Sequence, residues 1–235
     1  NAPGHIDFLA AAGHKAYAPF GSAFLFGPRD VLDRVQPYVP GGGTVMFVSE
    51  HDYIYASSPD RHQGGTPNIA GAIALAESLN FLRAAGLENI RTHEVELTSY
   101  ALQRLKEIPD IRLLGDIPAE NRLGVITFNI GDVSNGLVAD ILNHEAAIAT
   151  RNGRFCAHPY VSYLLGRNDS EEIITRLRSG EKFDIGGAVR ISFGIFNTES
   201  EVDDVVENLK MIAERRWKAN YDDTSAYFDC KGVQL

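Results

Sequence analysis

Gly13-His14-Lys15-Ala16-Tyr17-Ala18-Pro19-Phe20-Gly21 lies between two short apolar runs, Ile6 to Ala12 and Ala23 to Phe26. Each run is apolar, brief and bounded by turn residues, the pattern of a short buried strand. The loop between them combines glycine, proline and a cation. A lone lysine at a strand end ordinarily points to water. The sharper use of such a residue is as a Schiff-base nucleophile, whose amine must be partly desolvated to lose its proton near neutral pH. Local sequence leaves both uses of Lys15 open. His14 is in the same position, a surface imidazole or a ligand.

Downstream, Pro28 to Val35 reads as a short helix, with Val31, Leu32 and Val35 on one face. From Pro37 to Gln63 the periodicity breaks down around Pro40-Gly41-Gly42-Gly43 and Ser57-Ser58-Pro59-Asp60, which predicts a long connection. Gly65-Thr66-Pro67-Asn68 then opens a helix to about Ala84, with Thr66 as the expected N-cap and Pro67 as the first helical residue. Gly86 stops it, and a second helix is expected from Leu87 to Ile108, ended by Pro109-Asp110. Strands are expected at Ile111 to Leu114, Val125 to Ile130, Ile148 to Thr150 and Val189 to Phe193, with a helix around Gly136 to Asn143. Thr198 and Glu201 have capping-box spacing, and Val202, Val205, Val206, Leu209 and Ile212 share one face of a final helix. The layout is mixed α/β, with a boundary between about residues 85 and 110. No internal repeat or low-complexity tract interrupts it.

Composition narrows the function classes. The 235 residues carry 22 Lys+Arg against 31 Asp+Glu, a formal charge of −9, with 44% hydrophobic residues. That balance suits a globular domain with a real core. It argues against a broad nucleic-acid surface, which needs clustered cations. No apolar run approaches the ~18 residues that span a bilayer, so no membrane partner is expected. Two cysteines, Cys156 and Cys230, do not make a disulfide framework, and a cytoplasmic location is the default expectation. No His/Cys/Asp/Glu spacing suits zinc, and Cys156 and His158 are too close together to form a convincing site, so no metal is expected.

Taken in order, Gly13-His14-Lys15, Pro19-Phe20-Gly21, Gly41-Gly42-Gly43, Gly65-Thr66-Pro67-Asn68, Arg151-Asn152-Gly153-Arg154-Phe155-Cys156-Ala157-His158-Pro159 and Arg190-Ile191-Ser192-Phe193-Gly194-Ile195-Phe196-Asn197-Thr198 are more specific than any one of them. Together they resemble the class V, fold-type I, pyridoxal-phosphate enzymes, within them the cysteine desulfurase and selenocysteine lyase branch. The likeness runs from about Ile6 to Arg215. It implies an α/β fold: the end of a large mixed-sheet cofactor domain over residues 1–90 and a small α/β domain over residues 91–235. It implies pyridoxal 5'-phosphate as cofactor, a small amino acid as substrate and a homodimer.

The resemblance also implies roles. Lys15 would hold the cofactor as an aldimine and shuttle protons, and His14 would help bind the phosphate. Thr66 would offer its hydroxyl and N–H to a phosphate across the dimer, a role that suits a helix N-terminus. Arg190 would clamp the substrate carboxylate through a guanidinium fork that lysine does not reproduce, with Arg151 as second candidate. Cys156 would attack the substrate sulfur and become a persulfide. Its thiolate is the competent form, and Arg151, Arg154 and His158 are expected to favour it. A buried structural cysteine is the alternative for this position, and Cys230, in a Tyr-rich acidic tail, is expected to be incidental. The implied reaction is C–S cleavage of L-cysteine. The alternatives are another class V activity, an aminotransferase or a C–S lyase, and a non-catalytic half.

Several positions depart from the family pattern. Ala12 stands where a serine usually precedes Gly-His-Lys, Gln63-Gly64 precedes Gly-Thr-Pro, and Arg154-Phe155 replaces a His-rich pair. Residues 167–182 form a charged insertion. Enzymes of this class run to roughly twice this length, with the lysine past the middle. The chain is therefore expected to be the C-terminal half, inactive without an N-terminal fragment that carries the acid for the pyridine nitrogen and most of the large sheet.

Overall fold

The computed structural model describes residues 4–221 apart from 116, 169 and 182. The chain divides into two compact units, residues 1–87 and 88–235.

The first unit is built from two antiparallel hairpins and a helix. Strands β1 (Leu9–Ala12) and β2 (Ala23–Phe26) pair with Leu9 opposite Phe26 and Ala12 opposite Ala23. β1 is shorter than expected, because a bend interrupts the run before Leu9. Nor are these strands buried: β2 is exposed throughout and β1 is exposed up to Ala12. Among the described residues each has only the other as sheet neighbour. A one-turn helix, α1 (Arg29–Leu32), follows. The expected long connection contains a second hairpin, β3 (Val45–Val48) with β4 (Tyr53–Tyr55). Its valines, aromatics and isoleucine are good strand formers, but the flanking glycines and prolines masked them. Helix α2 (Ile69–Ala85) ends at Gly86, whose φ of 86° suits glycine.

The second unit has a complete core. Helix α3 (Leu87–Leu105) leads into strands β5 (Ile111–Leu114) and β6 (Val125–Ile130). Helix α4 (Asn135–Ala146), β7 (Arg151–Gly153), α5 (His158–Leu165), α6 (Ser170–Arg178), β8 (Ala188–Ser192) and α7 (Glu199–Ala213) follow. The four strands form one antiparallel sheet in the order β5-β6-β8-β7. The strand expected at Ile148 to Thr150 lies instead at Arg151–Gly153. Helix α4 runs on to Ala146, and the left-handed Ala147 makes the turn before the chain can extend. The charged insertion folds into α6 across residues 170–178.

Alternation in β6 decides which face is covered. Ile126, Phe128 and Ile130 are buried and Val125, Thr127 and Asn129 are only partly so. The buried set packs with Leu97, Ala101 and Leu105 of α3, Val138, Ile141 and Leu142 of α4, and Val202, Val206, Leu209 and Ile212 of α7. The expected stripe on α7 thus faces the sheet. Thr198 and Glu201 form the capping box in both directions, and the Thr198 N–H holds the Glu201 carboxyl below its usual range. The opposite face of the sheet carries polar residues, Thr127, Arg190 and Arg151 among them.

Candidate active site

Lys15 sits in a 3-10 turn, Gly13–Ala16, directly after β1. The turn closes through Gly13 N–H to Ser22 O at 2.7 Å and Ala18 N–H to Gly13 O at 3.0 Å. A Cβ on Gly13 would collide with the Ser22 hydroxyl, so the approach of the loop's two ends requires glycine. Tyr17 takes a left-handed φ of 63° at the end of the turn. The His14 imidazole stacks on Phe20 with ring centroids 5.2 Å apart. Lys15 and His14 are both exposed, whereas a Schiff-base amine requires desolvation.

Helix α2 anchors the loop at two points. Ser78 donates to Ala16 O, and Asn68 Nδ2 donates to Gly21 O at 3.2 Å. Asn68, not Thr66, caps α2: its Oδ1 accepts from Gly71 N at 2.9 Å, and the helix begins at Ile69. Pro67 is therefore outside the helix, its carbonyl accepting from Ile69 N at 2.8 Å. Asparagine caps as well as threonine does. Here it sits closer to the first helical turn. Thr66 is left exposed two residues upstream, with no hydrogen-bond partner for its hydroxyl among the described residues.

In the second unit, Arg190 of β8 lies directly opposite Thr127 of β6 and Arg151 of β7. Directly paired residues project to the same face, so two guanidinium groups share one patch of sheet. Like charges so placed repel. Neither arginine forms an ion pair among the described residues. Gly187 makes the β7–β8 approach possible, because a Cβ there would meet the Gly153 backbone at 2.6 Å. Arg190 is half-buried and its guanidinium lies 5.2 Å from the centre of the Phe155 ring. Its Nε is buried without an acceptor.

Arg154, Phe155 and Cys156 have three different destinations. Arg154 is 6% exposed. Its Nε donates to Gly186 O at 3.1 Å, and its two Nη atoms donate to Ser162 Oγ and Ile185 O, each at 2.5 Å. It therefore braces the loop before β8 against α5 and does not serve the Cys156 thiolate, as the sequence had suggested. Phe155 and Cys156 are both left-handed, with φ of 53° and 59°, a conformation that costs L residues other than glycine about 1–2 kcal/mol each. Cys156 is exposed in this chain, not buried. His158 and Arg151 are exposed near it in sequence. Cys230 lies outside the described residues. Sequence reasoning treated Phe155 only as a departure from the family pattern. An aromatic residue beside a candidate nucleophile was the available signal for its contact with Arg190.

Among the described residues, no group of three or more His, Cys, Asp and Glu could hold a metal ion. No helix among them is long and apolar enough to cross a membrane. The two units offer different donors: the first a primary amine and imidazole in one turn and a hydroxyl ahead of a helix N-terminus, the second two guanidinium groups on a sheet face without an ion pair among the described residues. These groups match an aldehyde that carries a phosphate and a substrate that carries a carboxylate.

The aminotransferase class-V family model matches residues 4–205. A "Probable cysteine desulfurase" of Streptomyces coelicolor is 34% identical over 206 residues, covering 88% of this chain and 44% of that protein. One from Staphylococcus aureus (strain COL) is 36% identical over 210 residues, covering 89% and 46%. The apo structure of the cysteine desulfurase from Thermococcus onnurineus NA1 superimposes with a TM-score of 0.76 at 30% identity, covering 90% of this chain and 48% of that one. The Escherichia coli cysteine desulfurase CsdA gives 0.74 at 28%, covering 89% and 47%. The chain spans about half the length of the relatives it matches, and its mixed α/β fold corresponds to about half of a fold-type I cysteine desulfurase. It belongs to the aminotransferase class-V family, on the cysteine desulfurase-like side.

Proposed function

We propose that this chain carries the lysine and substrate-binding part of a pyridoxal-phosphate-dependent cysteine desulfurase that cleaves the C–S bond of L-cysteine. On this reading residues 1–90 complete the cofactor-binding domain and residues 91–235 form the small domain. The cofactor, when bound, supplies an electron sink for the substrate's Cα and Cβ. The observation that carries the proposal is the register of β7 and β8. It sets Arg190 beside Arg151 with no ion-paired acid among the described residues, and Arg151 lies five residues before an exposed cysteine on a strained turn.

Each residue then has a task. Lys15 Nζ would hold the cofactor through its aldehyde carbon and would move the proton at the substrate Cα. His14, held by its stack on Phe20, and Thr66, ahead of α2, bind phosphate. Thr66 acts across a homodimer boundary. Arg190 takes the substrate carboxylate through two parallel N–H bonds, and Arg151 adds positive charge that neutralises as the anion docks. Cys156 Sγ attacks the substrate sulfur: the S–S bond forms as C–S breaks, and the bonding pair stays on Cβ, which takes a proton to leave alanine. The exposure of Cys156 suits a persulfide that is handed to an acceptor. The remaining portion of the enzyme, as a longer chain or a separate fragment, covers the exposed hairpins, desolvates Lys15 and supplies the acid facing the pyridine nitrogen.

Borohydride reduction of the cofactor-loaded protein, followed by peptide mapping, is expected to place a pyridoxyl adduct on Lys15. L-cysteine is expected to yield alanine and a persulfide on Cys156, lost in Cys156→Ser. Pyruvate and free sulfide in place of alanine would identify a C–S lyase, and an adduct on another lysine would refute the assignment.

A further inference from the structure

We infer that Phe155 is a positioning residue for Arg190: its ring holds the guanidinium with the Nη edge toward the substrate carboxylate, and so makes the site favour amino acids over the corresponding amines. The inference rests on the reading of Arg190 as the carboxylate clamp and adds what keeps that clamp in place.

Arg190 has no acceptor among the described residues to orient it. Its Nε is buried and unpartnered, an arrangement that ordinarily needs an explanation. Its cross-strand neighbour is another arginine, which pushes it away from the sheet position where a carboxylate would be met. What opposes this push is the Phe155 ring, 5.2 Å from the guanidinium carbon, within the range where an aromatic face attracts a cation. The ring reaches that place only because Phe155 is left-handed, with φ of 53°. The strain is held from both sides. Before it, Arg154 is buried among Ser162, Ile185 and Gly186, and after it α5 starts at His158. Strain that is over-determined in this way commonly marks a functional contact. An aliphatic side chain would fill the same space but would not attract the cation.

The test uses the intact, cofactor-loaded protein and two probes with no sulfur to cleave, L-alanine and ethylamine, with affinities measured by calorimetry. Phe155→Leu is expected to weaken L-alanine binding about three- to tenfold, leave ethylamine unchanged, and raise KM for L-cysteine more than it lowers kcat. Phe155→Tyr, which keeps the aromatic face, is expected to stay within about twofold of the parent. If Phe155→Leu fails to fold, pentafluorophenylalanine at position 155 keeps the shape while removing the negative face, and is expected to reproduce the loss. In an Arg190→Gln background Phe155→Leu is expected to add nothing, because the ring acts through the arginine. Unchanged L-alanine affinity in both the Leu and the fluorinated variants overturns the inference. Unchanged affinity in Arg190→Gln itself overturns the reading of Arg190 on which it rests, and the two failures are separately visible.

Discussion

Strand β6 and strand β2 are both apolar and both antiparallel, yet they end in opposite environments. β6 has a hydrogen-bonded neighbour on each side and three helices over one face, and Phe128 at its centre is fully buried. Among the described residues β2 pairs only with β1, and Phe26 is 65% exposed. The contrast extends to the units that contain them. In the described part of the second unit the buried apolar side chains of the sheet and its helices converge on one core. Among the described residues up to 87, Leu75 is the one large apolar side chain that is buried, while Leu25, Met46, Phe47 and Ile54 are exposed. Two-stranded hairpins are marginal on their own. An exposed apolar surface of this extent is unusual for a chain that stands alone, and on the proposed reading the rest of the enzyme covers it. The residues that would bind the cofactor lie on the unit that lacks a core, and those that would bind the substrate lie on the unit that has one.

The largest expected effect separates the two units outright. Residues 88–235 expressed alone should give a cooperative thermal transition, because their core is self-contained. Residues 1–87 alone should give none and should bind a hydrophobic dye. A cooperative transition from the shorter piece would erase the distinction between the two.

Matched truncations sharpen the contrast. Phe128→Ala is expected to cost about 3–5 kcal/mol by denaturant unfolding, as a large cavity in a packed core does. Phe26→Ala should cost less than about 0.5 kcal/mol, the usual range for an exposed position. If the two costs are similar in this chain, β2 is covered in solution.

The smallest effect concerns the start of α2. Asn68→Ala is expected to destabilise the first turn of the helix by about 1 kcal/mol, seen as faster amide exchange at Gly71. Thr66→Ala should leave that exchange unchanged. Faster exchange at Gly71 in Thr66→Ala would restore Thr66 as the cap.

Some elements could be read directly from the chain. The alternation of Ile126, Phe128 and Ile130 specified a half-buried strand, and the spacing of Val202, Val206 and Leu209 specified the inner face of α7. Both signals are local and periodic, and the core they serve lies within the chain. The capping box at Thr198 was legible for the same reason. The hairpin β3–β4 was not, because its two strands are short and flanked by strong breakers. β7 was also misplaced. Its residues, Arg151-Asn152-Gly153, have little strand propensity and extend only because β8 offers an edge and Gly187 lets them approach.

Residue type and order alone determined which groups are available: the lysine in its glycine-bounded turn, the threonine ahead of a helix, the arginines and the cysteine. Those are properties of covalent structure and short-range sterics, and they carry the family likeness. Only the tertiary structure decided that Arg190 and Arg151 stand side by side, since sheet register joins positions 39 residues apart in sequence. Tertiary structure also turned Arg154 inward, Phe155 onto Arg190 and Cys156 outward. A run of three residues does not encode that division: it follows from a buried guanidinium and two left-handed residues whose strain the surrounding fold sustains.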